Sequence, residues 1–437
     1  MIQNSSAIIL AAGKGTRMKS SMPKVMHKVA GRTMIDHVIH ACTDMDITIV
    51  ISPDMPELAK AVSPHKTVIQ HKQLGTGDAV KAAHTELGHY DGAIFILYGD
   101  CPFIETQTLE ALLEAAQKTG LSILGFETDN PKGYGRLVIM DDVVSEIVED
   151  KDCTPDQKAL TTCNAGVYCV TGGRLFCWLD KLSNDNAQGE YYLTDMVSIA
   201  KTENIDCAYV LTDETQVLGV NSRSQLAQAE FIMQEKLRKQ AMDNGVTMID
   251  PQSVYLSIDT KFSQDVIIEP NVVIGSNVCV GKGTHIHAFS HIEGAEIGAN
   301  AQIGPFARIR PKSKIGDNVT VGNFIEVNRS EFKTGSKSKH LSYIGDAIIG
   351  EKTNIGAGTV IANYDGFNKH QTTIGNNVFV GSNSTLVSPM TIGDGAMIGA
   401  GSTVTKNIAA DALAVARVKE FTREGWALSY RTKHKKD

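Results

Sequence analysis

An aliphatic residue returns almost every six positions from residue 268 to residue 404. The series runs through Ile268, Ile274, Val280, Ile286 and Ile292, then Ile297, Ile303, Ile309, Ile315, Val321 and Val327. Ile349, Ile355 and Ile361 keep the step after one gap, and Ile374, Val380, Leu386, Ile392, Ile398 and Val404 keep it after another. A helix repeats every 3.6 residues and a strand every two, so neither gives six. The pattern predicts a parallel β-helix: each hexad is one short strand with its aliphatic side chain inside, beside a tight turn that Gly relieves. Three hexads make a coil, so the 21 aliphatic positions, counting Ile344, predict roughly seven coils at about 4.8 Å each, about 34 Å in all.

The two gaps, 327–344 and 361–374, read as insertions, which in a repeat array tend to form the working face. The first carries Lys333, Lys337, Lys339, His340 and Tyr343; the second follows Asn363-Tyr364-Asp365-Gly366 and carries Lys369 and His370. Before the repeat, strand-like runs at 7–10, 47–51, 93–97, 122–126 and 166–170 alternate with segments rich in Ala, Leu and charge. That alternation predicts a parallel sheet wrapped by helices, with ligands at the carboxyl ends of the strands. Residues 224–244 read as a helix ending at Gly245, a rigid spacer whose Met and Phe serve packing. The domain plan is therefore 1–224, a helical linker 225–245, and a repeat domain with its tail, 246–437.

Composition narrows the class. At 437 residues the chain is too long for one ordinary core. With a formal charge of −7 and a single local basic run, Arg431, Lys433, Lys435 and Lys436, nucleic acid is excluded as the expected partner. No stretch approaches the roughly 20 apolar residues of a membrane span, and residues 7–12 are too short for a signal sequence, so a cytoplasmic protein is expected. Eight cysteines without a C-x-x-C pair fit free structural thiols.

Candidate chemistry falls at the expected strand ends. Leu10-Ala11-Ala12-Gly13-Lys14-Gly15-Thr16-Arg17-Met18, followed by Pro23-Lys24, is a Gly-rich turn after a buried strand. Its bare N–H groups, with Arg17 and Lys24, suit a triphosphate. A dinucleotide fingerprint fails, because Met18 replaces the third Gly and no acidic residue ends a second strand at the right distance. Gln70, within Gln70-His71-Lys72-Gln73-Leu74-Gly75-Thr76-Gly77, offers an amide that can read a pyrimidine edge. Tyr98-Gly99-Asp100 places a carboxylate suited to Mg²⁺ at another strand end.

Together these pieces resemble the sugar-1-phosphate nucleotidyltransferases. Joined to a hexapeptide β-helix, the chain from about residue 7 to 426 resembles the bacterial bifunctional N-acetylglucosamine-1-phosphate uridyltransferases and glucosamine-1-phosphate acetyltransferases. Further family blocks stand at Gly133-Tyr134-Gly135-Arg136, Val148-Glu149-Asp150-Lys151, Asn164-Ala165-Gly166, Gly189-Glu190-Tyr191-Tyr192-Leu193-Thr194-Asp195 and Gly219-Val220-Asn221. The resemblance implies a Rossmann-like mixed-sheet α/β nucleotidyltransferase domain, then a left-handed β-helix. It implies synthesis of UDP-N-acetylglucosamine from glucosamine-1-phosphate, acetyl-CoA and UTP, through N-acetylglucosamine-1-phosphate. It gives Asp100 and Asn221 to Mg²⁺, and Leu10, Ala11, Ala12, Gly13, Gln70, Gly75 and Thr76 to the uridine nucleotide beside Tyr98 and Gly99. Gly135, Glu149 and Asn164 go to the N-acetyl sugar, and Lys24 with Arg17 to the phosphates.

In the repeat domain the resemblance selects His340 as the base that takes the ammonium proton. It puts Arg310, Tyr343, Asn354 and Lys369 around the amino-sugar phosphate. Ala357, Asn363, Tyr364, Ser382, Ala400 and Arg417 line the acetyl-CoA path, and a homotrimer carries the acetyl sites between subunits. One position departs: after Asn323-Phe324-Ile325-Glu326 the family supplies a Lys toward the sugar phosphate, whereas this chain has Asn328 and then Arg329. An amide there weakens the charge on that phosphate unless Arg329 reaches in. Two other readings are a nucleotide-sugar pyrophosphorylase whose β-helix is only an oligomerisation scaffold, and a non-catalytic assembly subunit built from the same modules. His340 argues against the first, and Lys24, Asp100 and Asn221 argue against the second.

Overall fold

The structure, a computed structural model, describes residue 2, residues 4–186 and residues 188–435; Lys436 of the basic run lies outside them. The chain forms two compact units, Met1–Met233 and Gln234–Asp437.

The first unit is built on a nine-stranded sheet. Ser5–Leu10 lies between Asp46–Ile51 and Ala93–Tyr98, parallel to both, and Lys66–Ile69 extends the Asp46–Ile51 edge. On the other side the parallel order breaks. Thr162–Val170 runs antiparallel to Ala93–Tyr98 and to Leu121–Glu127, and Cys207–Thr212 closes the edge parallel to Leu121–Glu127. The sheet is therefore mixed, where strand alternation alone predicts a parallel one; the hairpin Arg136–Met140 and Val143–Val148 is a further departure from that expectation. Ala7 and Ile9 enter one core and Ile8 and Leu10 the other. Both faces are covered, so polarity does not alternate along the strand and gives no clue to direction.

The second unit is a parallel β-helix whose three faces are sheets of ten, eight and eight strands. The hexad aliphatics point inward and form one continuous core. The stack exceeds the seven coils predicted, because Thr247–Met248 and Lys261–Phe262 precede the aliphatic series and Leu413–Ala414 follows it. The gap at 327–344 is not an insertion. Phe332 and Ser338 hold the inward positions there, both buried and paired with the rungs before and after. Val327 and Ile344 are partners on successive rungs and stand one position closer in sequence than the preceding partners, Ile309 and Val327. The gap at 361–374 is a true insertion: Ile349 and Ile374 are partners on successive rungs, although the chain between them carries more than an extra hexad.

The expected helix is Arg223–Asp243, and the boundary between units falls within it. It ends before Gly245, whose φ of 94° relieves the chain reversal. Within the second unit Gln234 exchanges two hydrogen bonds with the Leu256 backbone (2.6 and 2.8 Å), and Arg238 donates to the Val254 carbonyl (3.1 Å). These side chains satisfy backbone groups at the first turn of the β-helix. Met233 is buried, but Phe231 and Met242 are exposed, so packing does not explain those two. All eight cysteines are free, and six of them are buried.

Candidate active sites

The first strand and its neighbour end together. Leu10 pairs with Tyr98, the Gly99 N–H donates to the Leu10 carbonyl, and the Ala11 N–H donates to Val50. From that edge opens a cleft of about 610 Å³, lined by Leu10, Ala11, Ala12, Gly13, Lys24, Gln70, Gly75, Thr76, Tyr98, Asp100 and Asn221 among others. The turn that follows needs Gly15 twice over. Its φ is 57°, and a Cβ there would meet the Lys24 Cβ at 2.7 Å. The absence of that Cβ lets Lys24 lie against the turn. Gly75, with φ 105°, similarly has the Tyr191 carbonyl 2.7 Å from where a Cβ would stand.

Lys24 Nζ donates to Asp100 Oδ2 and, at 2.8 Å, to Asn221 Oδ1. Asn221 arrives because the Val220 N–H donates to the Asp100 carbonyl, and Gln225 Oε1 accepts its backbone N–H at 2.9 Å. Both side chains of the Lys24–Asp100 pair are 13% exposed. Gln70 is buried, with Nε2 donating to Asp78 (2.8 Å) and the Gly75 carbonyl (3.3 Å). This fixes the amide and leaves Oε1 as its acceptor.

Gly135, Glu149 and Asn164 are not among the cleft-lining residues but lie near one another. The Asn164 N–H donates to the Gly135 carbonyl at 2.8 Å, and a Cβ on Gly135 would stand 3.7 Å from the Val148 carbonyl. A register shift between Asn164 and Tyr168 bends the strand beside them. Burial first, then Asp152, Asp195 and Asp150, push the Glu149 carboxyl above its ordinary range. Burial also raises the Tyr98 phenol, which stays neutral. Arg17 sits exposed on the turn Thr16–Met18 and does not line the cleft. Gln73, Tyr134, Glu190, Gly219 and Gln225 line it without a signal of their own in the sequence, although the blocks containing Gln73, Tyr134, Glu190 and Gly219 are legible there.

On the β-helix the residues sort into columns set by coil length. Two places after the inward residues Val321, Ser338, Ile355, Val380 and Ile398 stand Asn323, His340, Ala357, Ser382 and Ala400. Asn323 and His340 are strand partners, and backbone hydrogen bonds Gly358 to His340, Asn383 to Ala357 and Gly401 to Ser382 tie successive steps. His340 is exposed, and its Nδ1 lies 2.8 Å from Asn323 Oδ1. Ser382, Ala400 and Arg417 are exposed as well.

The neighbouring face holds Arg310, whose Nη1 donates to Glu326 at 2.7 Å, with Tyr343 on the rung after Glu326. Asn354 is the partner of Lys337. In the insertion, Tyr364 and Lys369 face each other across a bridge, and His370 pairs with Asp365 at 2.7 Å. Asn328 is 3% exposed, and its Oδ1 accepts from Arg329 Nη1 at 3.1 Å. Arg329 grips Asp346 with two bonds of 2.7 Å, and Asn363 donates to the same carboxylate. Arg329 is therefore committed to Asp346. The guanidinium, followed by the Asn363 amide, outweighs burial and holds the Asp346 carboxyl below its usual range.

Three family profiles match the chain. The MobA-like NTP transferase domain covers residues 7–189, the GMPPB C-terminal domain residues 291–388, and the bacterial transferase hexapeptide (six repeats) residues 371–406. Curated relatives named bifunctional protein GlmU match almost end to end. The Parvibaculum lavamentivorans protein is 50% identical over 437 residues, 98% of this chain and 97% of that one. The Maricaulis maris protein is 49% identical over 98% and 97%, and the Paramagnetospirillum magneticum protein 46% over 98% and 96%.

Proposed function

This chain belongs to the family of the bifunctional protein GlmU, and from that premise we propose which residues carry each of its two reactions. The enzyme makes UDP-N-acetylglucosamine: it acetylates glucosamine-1-phosphate from acetyl-CoA and transfers uridylate from UTP to the product. The α/β unit is assigned to uridylyl transfer and the β-helix, left-handed in this family, to acetyl transfer, with a helical linker over 225–245.

For uridylyl transfer the supporting observation is the meeting of Lys24, Asp100 and Asn221 in the cleft. A carboxylate and an amide oxygen converge on a cation, which is the hard-oxygen donor set that suits Mg²⁺ with water completing its shell. Bound there, Mg²⁺ would neutralise phosphate charge. Lys24 then turns from Asp100 toward the phosphates, alongside the N–H groups of Ala12 and Gly13, with Arg17 above the turn. Gln70 Oε1 accepts from the uracil N3–H. Gly135, Glu149 and Asn164 hold the N-acetyl sugar so that its phosphate oxygen attacks the α-phosphorus as pyrophosphate leaves. Position and charge supply the rate, with little acid–base work.

For acetyl transfer the column from His340 to Ala400 supports an extended thioester ligand lying along Ala357, Ser382 and Ala400, with Asn363, Tyr364 and Arg417 at its margins. Asn323 orients His340, whose remaining nitrogen takes the ammonium proton as the amine attacks the thioester and the CoA thiolate departs. Arg310, Tyr343, Asn354, Lys369 and Asn328 surround the amino-sugar phosphate. This column is open on one chain. Beside it Phe289, Phe306 and Phe324 stack in an exposed ladder at centroid distances of 4.9 and 5.0 Å, with φ of 59°, 56° and 56°. Left-handed Phe is strained by roughly 1–2 kcal/mol per residue, and an exposed apolar ladder favours self-association. A homotrimer that closes the acetyl site is the assembly proposed, in the cytoplasm; no described helix is long and apolar enough to cross a membrane. Separate assays on the purified protein test the division: pyrophosphate release from UTP with N-acetylglucosamine-1-phosphate, and CoA release with glucosamine-1-phosphate.

A further inference from the structure

A second cluster of chemistry-bearing side chains lies on the β-helix at coils that neither reaction uses. On the strand His285–Ile286 the inward Ile286 is flanked by His285 before it and by His287 just past the strand's end, and both histidines face outward. The rung before pairs Ile267 with His285 and Ile268 with Ile286, which puts Glu269 against His287; the rung after pairs Gln302 with His285. Glu269 Oε1 lies 2.9 Å from His285 Nε2 and 2.9 Å from His287 Nδ1, and the imidazoles stack at 4.0 Å and 29°.

One carboxylate oxygen cannot serve both rings well. His287 makes a hydrogen bond to it, but His285 Nε2, though equally near, lacks hydrogen-bond geometry and is buried without a partner. His287 also has oxygen at both nitrogens, since Nε2 lies 3.1 Å from Gln302 Oε1. A neutral imidazole has one N–H to give. An ion between the three groups resolves both conflicts. It takes the lone pairs of His285 Nε2 and His287 Nδ1, while His287 Nε2–H donates to Gln302 and the Ala288 N–H holds Glu269 Oε2 at 2.9 Å. Supports of this kind orient metal ligands. The three donor atoms lie within 4.8 Å of one another. Ligands at about 2.0–2.1 Å in tetrahedral geometry stand about 3.3 Å apart, so the two Glu269 contacts need open only by about 0.4 Å.

We propose that Glu269, His285 and His287 bind a divalent transition-metal ion, zinc by preference, with Gln302 as a positioning residue and water in the fourth place. Two imidazoles and one carboxylate select Zn²⁺, Co²⁺ or Ni²⁺ over Mg²⁺, which prefers oxygen. The site is independent of the catalytic assignments.

The test uses full-length protein stripped of metal, in excess Mg²⁺, titrated with Co²⁺ and read by visible absorption and bound stoichiometry. One Co²⁺ per chain with a Kd below about 10 µM is expected. His285→Gln/His287→Gln should weaken it at least 100-fold and Gln302→Ala about tenfold, with both transferase activities and the circular dichroism retained. Less than half an equivalent bound at 100 µM overturns the proposal. So does unchanged binding in the double variant, which would place the ion at the exposed Cys177 or Cys279 or in the nucleotide cleft. Should the double variant not fold, an unchanged Kd in Gln302→Ala is equally decisive against it.

Discussion

The cleft of the α/β unit and the column on the β-helix hold their side chains by different means. The cleft gathers residues 10–13, 24, 70, 73, 75, 76, 98, 100 and 221, joined by contacts that each occur once, such as Lys24 reaching Asn221 across 197 positions. The column repeats one contact from rung to rung, with His340 beside Asn323, Val380 beside Ile355 and Ile398 beside Val380, and neighbours follow from the coil. A convergent site should fail when one member is lost, while a stacked site should lose one function at a time and let stability be altered coil by coil.

Five substitutions probe that contrast, from the largest effect to the smallest. Asp100→Ala should abolish uridylyl transfer and leave acetyl transfer nearly intact; loss of both in the paired assays would break the division of labour. His340→Ala should lower acetyl transfer by about 10² to 10⁴, the usual worth of a positioned base, with uridylyl transfer unchanged. Wild-type acetylation from pH 6 to 8 would send the search for the base elsewhere. Ile344→Ala, in the middle of the stack, should destabilise the β-helix by about 2–5 kcal/mol, seen as a lower midpoint in denaturant.

Asp346→Asn tests the carboxylate that ties Arg329 to Asn363. Its folded pKa lies below the unfolded value, so its contribution is present above about pH 4 and is lost as pH falls through the folded value. The variant should be less stable by about 1 kcal/mol at pH 7, and the difference should shrink on acidification; a difference that does not change as pH falls would refute the linkage. Asn328→Lys should lower the KM for glucosamine-1-phosphate by no more than about fivefold with kcat unchanged, because a charge-assisted bond adds roughly 1 kcal/mol. The new ammonium also sits beside Arg329, which offsets part of that gain. A rise in KM would mean that repulsion wins.

The difference between the regions also governs what could be read from sequence. The hexad reveals the β-helix by arithmetic, yet it misreads the coil containing Phe332 and Ser338. A large ring and a small hydroxymethyl share one cross-section there and fill space that two aliphatics fill elsewhere. A search for aliphatic residues alone therefore registers a gap where the coil is continuous. In the α/β unit the strand ends and their motifs are legible because Gly, Lys and Asp interrupt apolar runs. The antiparallel course of Thr162–Val170 is not, since a strand buried on both faces carries no mark of direction. The commitment of Arg329 to Asp346 is equally hidden, because the partners lie on different coils, far enough apart along the chain that no local pattern joins them.

The regular coil makes length on the β-helix quantised. From Asn323 to Ala400 the column climbs four rungs, about 19 Å at the spacing of neighbouring strands, and intermediate reaches are not available. Removing a whole coil would shorten it by one rung and keep the inward residues in phase; an arbitrary deletion would leave a rung without its partners. The coils from Ile309 to Val327, from Val327 to Ile344 and from Ile349 to Ile374 differ in length yet coexist, because extra residues at a corner bulge outward without adding height. Loops can therefore vary freely in content, while the distance a ligand must span along this surface changes only in increments of about 4.8 Å.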